Sequence, residues 1–202
     1  MRSLDEVARE AAVCERCALA AGRTQVVFGN GNPNAELMFV GEAPGYHEDK
    51  QGVPFVGAAG GLLTGLLEGI GLTRADVFVA NVLKCRPPGN RDPQPEEIEA
   101  CKPWLKEQIE LVDPKLVCTL GNFATRLLLG TKASISRVRG QRFAWRGRVL
   151  IPTFHPAAIL HGGRNSQAMS QMEDDFRLLA KVLEEVRTAE PPADDPEQLG
   201  LF

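Results

Sequence analysis

Four short apolar runs, separated by stretches of helix length, constrain this chain more than any other feature. They are Leu37–Val40, Val77–Leu83, Leu116–Leu120 and Arg148–Phe154. Short apolar runs bounded by turn residues read as buried strands. Helical patterns lie around them. Ser3 and Glu6 form a capping box for a helix reaching about Val13. Ala58–Ile70 has helical spacing, loosened by Gly60, Gly61, Gly65 and Gly69. Pro95–Val112 opens with acidic residues, and Pro103 predicts a kink or break within it. Gly121–Leu129 reads as a short helix. Ala168–Arg187 reads as the last, with Met172, Phe176, Leu179 and Leu183 on one face. No segment repeats at a fixed period. Strands alternating with helices predict a mostly parallel sheet covered on both faces.

Ligands of such sheets bind beyond the carboxyl ends of the strands. The four predicted ends run into Gly41-Glu42-Ala43-Pro44-Gly45, into Asn81 with Lys84-Cys85-Arg86-Pro87-Pro88, into Gly121-Asn122-Phe123, and into His155-Pro156-Ala157. The unusual residues of the chain thus gather at one edge. Gly41–Gly45 is a tight turn whose N–H groups can face a pocket, with Glu42 supplying a carboxylate. It is neither a dinucleotide fingerprint nor a Walker A loop. Phe55, in the proline-stiffened Gly52–Gly57 loop, suits stacking on a planar ring or plugging the core. Asn81 carries both a donor and an acceptor, which suits a pyrimidine edge or a turn cap. His155 is the histidine with the strongest context; His47 and His161 receive no role.

The 202 residues fit one domain, assigned to 1–187, with a tail at 188–202. Hydrophobic residues at 44% and charged residues at 24% are ordinary for a globular chain, which excludes a disordered protein. No apolar run reaches the roughly 18 residues of a spanning helix, so no membrane partner is expected. Residues 1–20 are too charged for a signal-peptide core, so a cytoplasmic location is expected. Nothing points to an oligomer, and a monomer is expected.

The net charge of −3 hides an asymmetry. Between Pro114 and Met172 there are nine lysines and arginines and no acid. Such a segment predicts a local positive field and a polyanionic partner, nucleic acid above all.

Five cysteines divide as four plus one. Cys14 and Cys17 form a C-x-x-C pair, while Cys85 and Cys101 flank the proline-rich loop and the following helix start. Two-residue spacing lets two thiolates face one metal centre. Cys118 sits inside an apolar run and packs as a small hydrophobe. Four thiolates suit a tetrahedral zinc or a cubane iron–sulfur cluster, and spacing alone does not choose. A centre closed by four thiolates leaves no open position, so its role is to tie the N-terminus to the loop after the second strand.

Together these motifs resemble the signature set of the family 4 uracil-DNA glycosylases, over about Cys14 to Leu183. The resemblance implies a three-layer α/β/α sandwich with a central, mostly parallel four-stranded sheet. It implies a 4Fe–4S cluster, structural rather than catalytic, on Cys14, Cys17, Cys85 and Cys101, with zinc as the alternative. It further implies hydrolysis of the N-glycosidic bond of uracil in DNA. Gly41, Glu42 and Ala43 would line the base pocket, Phe55 would stack on the flipped uracil, Asn81 would read O4 and N3–H, and His155 would donate toward O2. Family 1 relatives place an aspartate where Ala43 stands. Glu42 is therefore the candidate carboxylate for orienting water or stabilising the sugar cation, ahead of Glu48. No lysine is placed for a Schiff base, so the enzyme would be monofunctional. DNA would be held by Arg86 and Arg91 and by an insertion loop in which Ile159 or Leu160 wedges into the duplex beside Arg164.

Two other readings share these features. One is a glycosylase of the same fold for another deaminated base, such as hypoxanthine. The other is a non-catalytic iron–sulfur module that binds nucleic acid. An electron carrier fits less well, because the cysteines are spread from Cys14 to Cys101. Finally, Thr188–Glu197 is acidic and proline-rich, as flexible linkers are. Gln198, Leu199, Gly200, Leu201 and Phe202 after it resemble a bacterial sliding-clamp-binding peptide, so the clamp is a second expected partner.

Overall fold

A computed structural model describes residues 2–162 and 167–188. The expectations placed on Arg164, Gln198, Leu199, Leu201 and Phe202 lie outside the described residues. In chain order the elements are α1 (Leu4–Ala12), β1 (Asn30–Gly31), β2 (Leu37–Gly41), α2 (Tyr46–Gln51), α3 (Ala58–Glu68), β3 (Phe78–Asn81), α4 (Pro95–Val112), β4 (Leu116–Leu120), α5 (Asn122–Leu129), α6 (Ile135–Val138), β5 (Phe143–Trp145), β6 (Arg148–Thr153), α7 (Pro156–Gly162) and α8 (Gln167–Thr188).

The sheet order is β1-β3-β2-β4-β6-β5. The four expected strands form its parallel centre, with Val40 opposite Ala80 and Phe39 opposite Cys118. The sheet has six strands rather than four, because β1 and β5 add to its edges antiparallel. Neither carries a sequence signal of the usual kind. β1 is only Asn30-Gly31, and β5 returns into β6 through Arg146-Gly147. Both of those residues have positive φ, +49° and +71°, as a two-residue primed hairpin turn requires.

Alternation along the strands divides the core into two layers. Met38, Val40, Ala80 and Val117 pack with Val7 of α1, Trp104 and Leu105 of α4 and Leu128 of α5. Leu37, Phe39, Val79, Cys118 and Ile151 face the other way, onto Leu63 and Leu67 of α3 and Phe176 and Leu179 of α8. Phe39 and Phe176 stack at 5.7 Å. The fold is the expected α/β/α sandwich. Pro103 does not break α4, which runs unbroken through Val112. Pro103 and Glu99 both lie on the solvent side, so water can serve the Glu99 carbonyl that loses its donor, while Trp104, Leu105 and Ile109 hold the helix from beneath.

Four of the nine cations of the basic segment pair with acids from outside it. Lys115 pairs with Glu36, Arg139 with Asp175, Arg142 with Glu185, and Arg148 with Asp113.

Candidate active site

Three of the four strand ends meet around one cavity of about 180 Å³. Its lining includes Glu42, Ala43 and Pro44 after β2, Asn81 at the end of β3, and His155 after β6, with Phe55 from the loop before α3. The end of β4 does not line it. Gly121 instead backs His155, where a Cβ would come within 3.1 Å of the histidine Cβ, and Asn122 accepts the Ile135 N–H at 2.9 Å. A wider groove of about 430 Å³ lies between α3 and α8, but no strand end reaches it.

Close approach explains the glycine at position 41. A Cβ there would lie 2.4 Å from Asn81 Oδ1 and 2.7 Å from Phe55 Cζ. Phe55 is buried and held at φ +56°, an uncommon conformation for an aromatic residue. Its loop is fastened from two sides. Glu48 Oε1 accepts the Val56 and Gly57 N–H groups at 2.9 and 3.0 Å, and Arg74 donates to the Pro54 carbonyl at 2.9 Å. Glu48 is thus engaged in holding the loop, a role its sequence position did not suggest. The Phe55 and His155 rings stand 5.6 Å apart, tilted by 32°.

Asn81 is 2% exposed, and its Oδ1 has no hydrogen-bond partner among the described residues. A buried polar atom without a partner costs on the order of 1–3 kcal/mol. Such an atom facing a cavity marks where a ligand donor belongs. His155 Nδ1 accepts the Ala157 N–H at 3.2 Å. The ring proton therefore resides on Nε2, which is left to donate. Burial lowers the His155 pKa to about 4, so the ring is neutral at physiological pH. Burial raises Glu42 to about 7, with the Asp92 carboxylate adding to the shift.

Cys14 and Cys17 pack partly buried against the core that contains Cys85 and Cys101, and all are free thiols. Cys14 and Cys17 act electrostatically on Cys85, and Cys85 and Cys17 act on Cys101. Three N–H donors reach the sulfurs: Trp104 Nε1 to Cys14 at 3.3 Å, the Lys84 amide to Cys101 at 3.2 Å, and Arg23 to Cys85 at 3.7 Å. Burial pushes Cys101 up to about 11 and Cys85 upward, so a metal would have to displace their protons. Among the described residues, no three His, Cys, Asp or Glu side chains are gathered tightly enough for a single ion. Cys118 lies apart, fully buried on β4.

The residues expected to meet DNA are dispersed. Arg86 is half-buried near the pocket mouth, bonded to Asn90 at 2.6 Å and set 5.1 Å from the Tyr46 ring. Arg91 lines the cavity but its guanidinium is held by both oxygens of Glu97, at 3.0 and 2.6 Å. Ile159 is 1% exposed and belongs to the core beneath α7, so it is not placed to wedge into a duplex; Leu160 beside it is half-buried. Lys84, which the sequence placed in a strand-end run without a role, and Gln108, which it did not single out, are both buried.

Residues 28–177 match the family model of the uracil DNA glycosylase superfamily. The chain is 44% identical over 191 residues to a type-4 uracil-DNA glycosylase of Sulfurisphaera tokodaii, covering 90% of this chain and 86% of the relative. It is 45% identical over 190 residues to that of Archaeoglobus fulgidus, covering 90% and 94%. With the Thermotoga maritima protein of the same name it shares 47% over 163 residues, covering 80% and 85%. The strand-end pocket and these matches agree: the chain belongs to the type-4 family of uracil-DNA glycosylases.

Proposed function

We propose that this chain excises uracil from DNA by hydrolysing the N-glycosidic bond, leaving an abasic site for repair. The single observation that carries the reading, beside family membership, is the unpartnered Oδ1 of buried Asn81 in the strand-end cavity. That acceptor suits the N3–H of uracil, and the amide nitrogen of the same side chain suits O4. Cytosine offers the opposite pattern at both positions and leaves the carboxamide mismatched. A base in a duplex cannot reach the cavity, so the nucleotide must leave the stack, and Phe55 offers a ring face in exchange.

Bond cleavage places negative charge on the departing base and positive charge on the sugar. His155 Nε2–H, neutral and fixed by Ala157, donates toward O2 as that charge grows. A neutral donor suits this task because it stabilises the anion without itself protonating. Glu42, when ionised, faces the sugar side of the cavity, where a carboxylate orients water or offsets the cation. The base leaves with the bonding electron pair, and water supplies hydroxide to the sugar C1′ and a proton that ends on the base.

Cys14, Cys17, Cys85 and Cys101 would hold a 4Fe–4S cluster. N–H donors to the sulfurs are a feature of such sites. Zinc on the same four thiolates is the alternative. The cluster supplies cross-linking of the N-terminal segment to the loop after β3 and no chemistry at the base. For DNA we assign Arg86 and the α7 region, with Leu160 as the apolar contact and Arg164 beyond the described residues. Gln198–Phe202 is the proposed clamp-binding peptide. Its deletion should abolish clamp pull-down and leave excision on oligonucleotides unchanged; unchanged pull-down would remove that assignment.

The function is tested on oligonucleotides carrying one uracil, hypoxanthine or no lesion, followed by alkaline cleavage. Uracil-dependent strand breaks are expected. Breaks only at hypoxanthine would move the substrate, and binding without breaks would leave a non-catalytic module.

A further inference from the structure

Lys84 is the least expected buried side chain in the molecule: 1% exposed, three residues after Asn81 and next to Cys85. Among the described residues no carboxylate hydrogen-bonds to it. Its Nζ donates to the Asn81 carbonyl at 2.7 Å and to Gln108 Oε1 at 2.5 Å, with the Phe28 ring 6.0 Å away. Gln108 is itself fixed, because its Nε2 donates to the Phe28 carbonyl at 2.7 Å. The Lys84 main chain is held as firmly. Its N–H donates to Cys101 Sγ at 3.2 Å, and its carbonyl accepts from Val27 N–H at 2.7 Å.

These bonds converge on one peptide unit. The Asn81 carbonyl is taken by Lys84 Nζ, and the Val82 N–H on the other side of the same plane donates to the Gly41 carbonyl at 2.9 Å. A peptide is planar, so two bonds on opposite sides fix its rotation. That rotation sets the direction of the Asn81 Cα–Cβ bond. No protein hydrogen bond reaches Asn81 Oδ1 within the cavity, so the carboxamide is aimed from its backbone.

We propose that Lys84 is a positioning residue that couples the four-cysteine loop to the base-reading amide of Asn81. The inference rests on the uracil-excision reading. Both donations of Nζ are available to an amine in either protonation state, so the link is geometric. Anchoring Cys101 seats the Lys84 main chain, and the Lys84 side chain, braced by Gln108, then holds the Asn81–Val82 peptide. This gives the cysteine centre a defined route to substrate selection although it lies outside the cavity.

The test is a double-mutant cycle with Lys84→Met, which keeps length and volume but removes the donors, and Asn81→Ala, each purified with its iron. Three quantities are read: kcat/KM on a uracil oligonucleotide, affinity for an oligonucleotide carrying non-hydrolysable 2′-fluoro-2′-deoxyuridine, and iron per protein. Lys84→Met is expected to lower kcat/KM by about 10- to 100-fold, as small misplacements of a binding group do. It should weaken analogue affinity and keep the iron content. In the Asn81→Ala background it should cost less than about twofold, because the group it positions is gone. Equal losses in both backgrounds, or full activity in Lys84→Met, would overturn the proposal. If Lys84→Met does not fold, Gln108→Leu removes only the brace. A loss of about three- to tenfold that vanishes with Asn81→Ala is then expected, on the scale of one hydrogen bond. Full or additive effects there would equally overturn it. An inactive wild-type protein would instead refute the uracil-excision reading.

Discussion

The Ala157 N–H bonds to His155 Nδ1 at 3.2 Å, and this one contact decides which way the imidazole can act. With Nδ1 occupied as an acceptor, Nε2 carries the proton. Because burial holds the ring pKa near 4, the donor stays neutral through the physiological range. His155→Ala should lower kcat by about 10²- to 10³-fold, the usual cost of removing one donor to a developing oxyanion. Substrate affinity should change far less. Single-turnover kinetics separate the two. Between pH 5 and 8 no ionisation of His155 should appear in the rate.

Glu42 behaves in the opposite way. Its folded pKa is raised from 4.5 to about 7, first by burial and then by Asp92. The useful form is the carboxylate, so the wild-type rate should fall as pH drops below about 7. Glu42→Gln should lower the rate and abolish that limb. Asp92→Asn should shift the limb to lower pH, since a repelling charge is removed. A raised carboxyl pKa also means that the folded state binds this proton more tightly than the unfolded chain does. Its stabilising effect is therefore present at low pH and lost as pH rises from about 4.5 through 7. Melting temperatures of wild type and Glu42→Gln should diverge as pH rises from about 4.5 through 7, with the variant higher.

At Gly41 the constraint is steric. A Cβ would strike Asn81 Oδ1 and the Phe55 ring, both far ends of side chains that form the pocket. Gly41→Ala should therefore spare the fold and damage the pocket, with kcat/KM reduced by about 10²-fold. Gly60→Ala should do more harm, because its Cβ would lie 1.8 Å from the Phe55 carbonyl, where backbone must move. Thermal melts beside activity assays distinguish the two.

The parallel core of the sheet was legible because each strand is an apolar run that ends in glycine or a polar residue. The helices α1, α3, α4, α5 and α8 followed from capping and spacing, and α4 and β4 have the bounds the sequence suggested, whereas the short α2 and α6 were not foreseen. The edge strands were hidden, since β1 has two residues and neither is apolar. Gly41, Glu42, Phe55, Asn81 and His155 were singled out because they stand at or beside strand ends, and the structure gathers them. What the chain alone did not reveal depends on pairing across the fold. Glu48 serves the Phe55 loop, Arg91 is occupied by Glu97, and four cations of the basic segment meet acids from outside it. Ile159 shows the same limit: a residue beside an insertion loop is wedge or core according to helix phase, which one turn of sequence does not define.

The cysteines should divide in the same way under substitution. Cys101→Ser should lose iron and visible absorption together and lower the melting temperature, because its sulfur joins α4 to the Lys84 amide. Cys118→Ser should keep iron in full. Its cost is a hydroxyl buried in an apolar strand, about 1–3 kcal/mol of stability. Iron analysis of both variants from one preparation checks the assignment.

The most direct measurement is release of free uracil from a single-uracil oligonucleotide by the wild-type protein and by Asn81→Ala. The expected result is stoichiometric uracil release with alkali-labile breaks at that position for wild type, and a loss of at least about 10²-fold for the variant. No release by folded, iron-loaded wild type, or equal release by both proteins, would contradict a base-reading pocket at the strand ends.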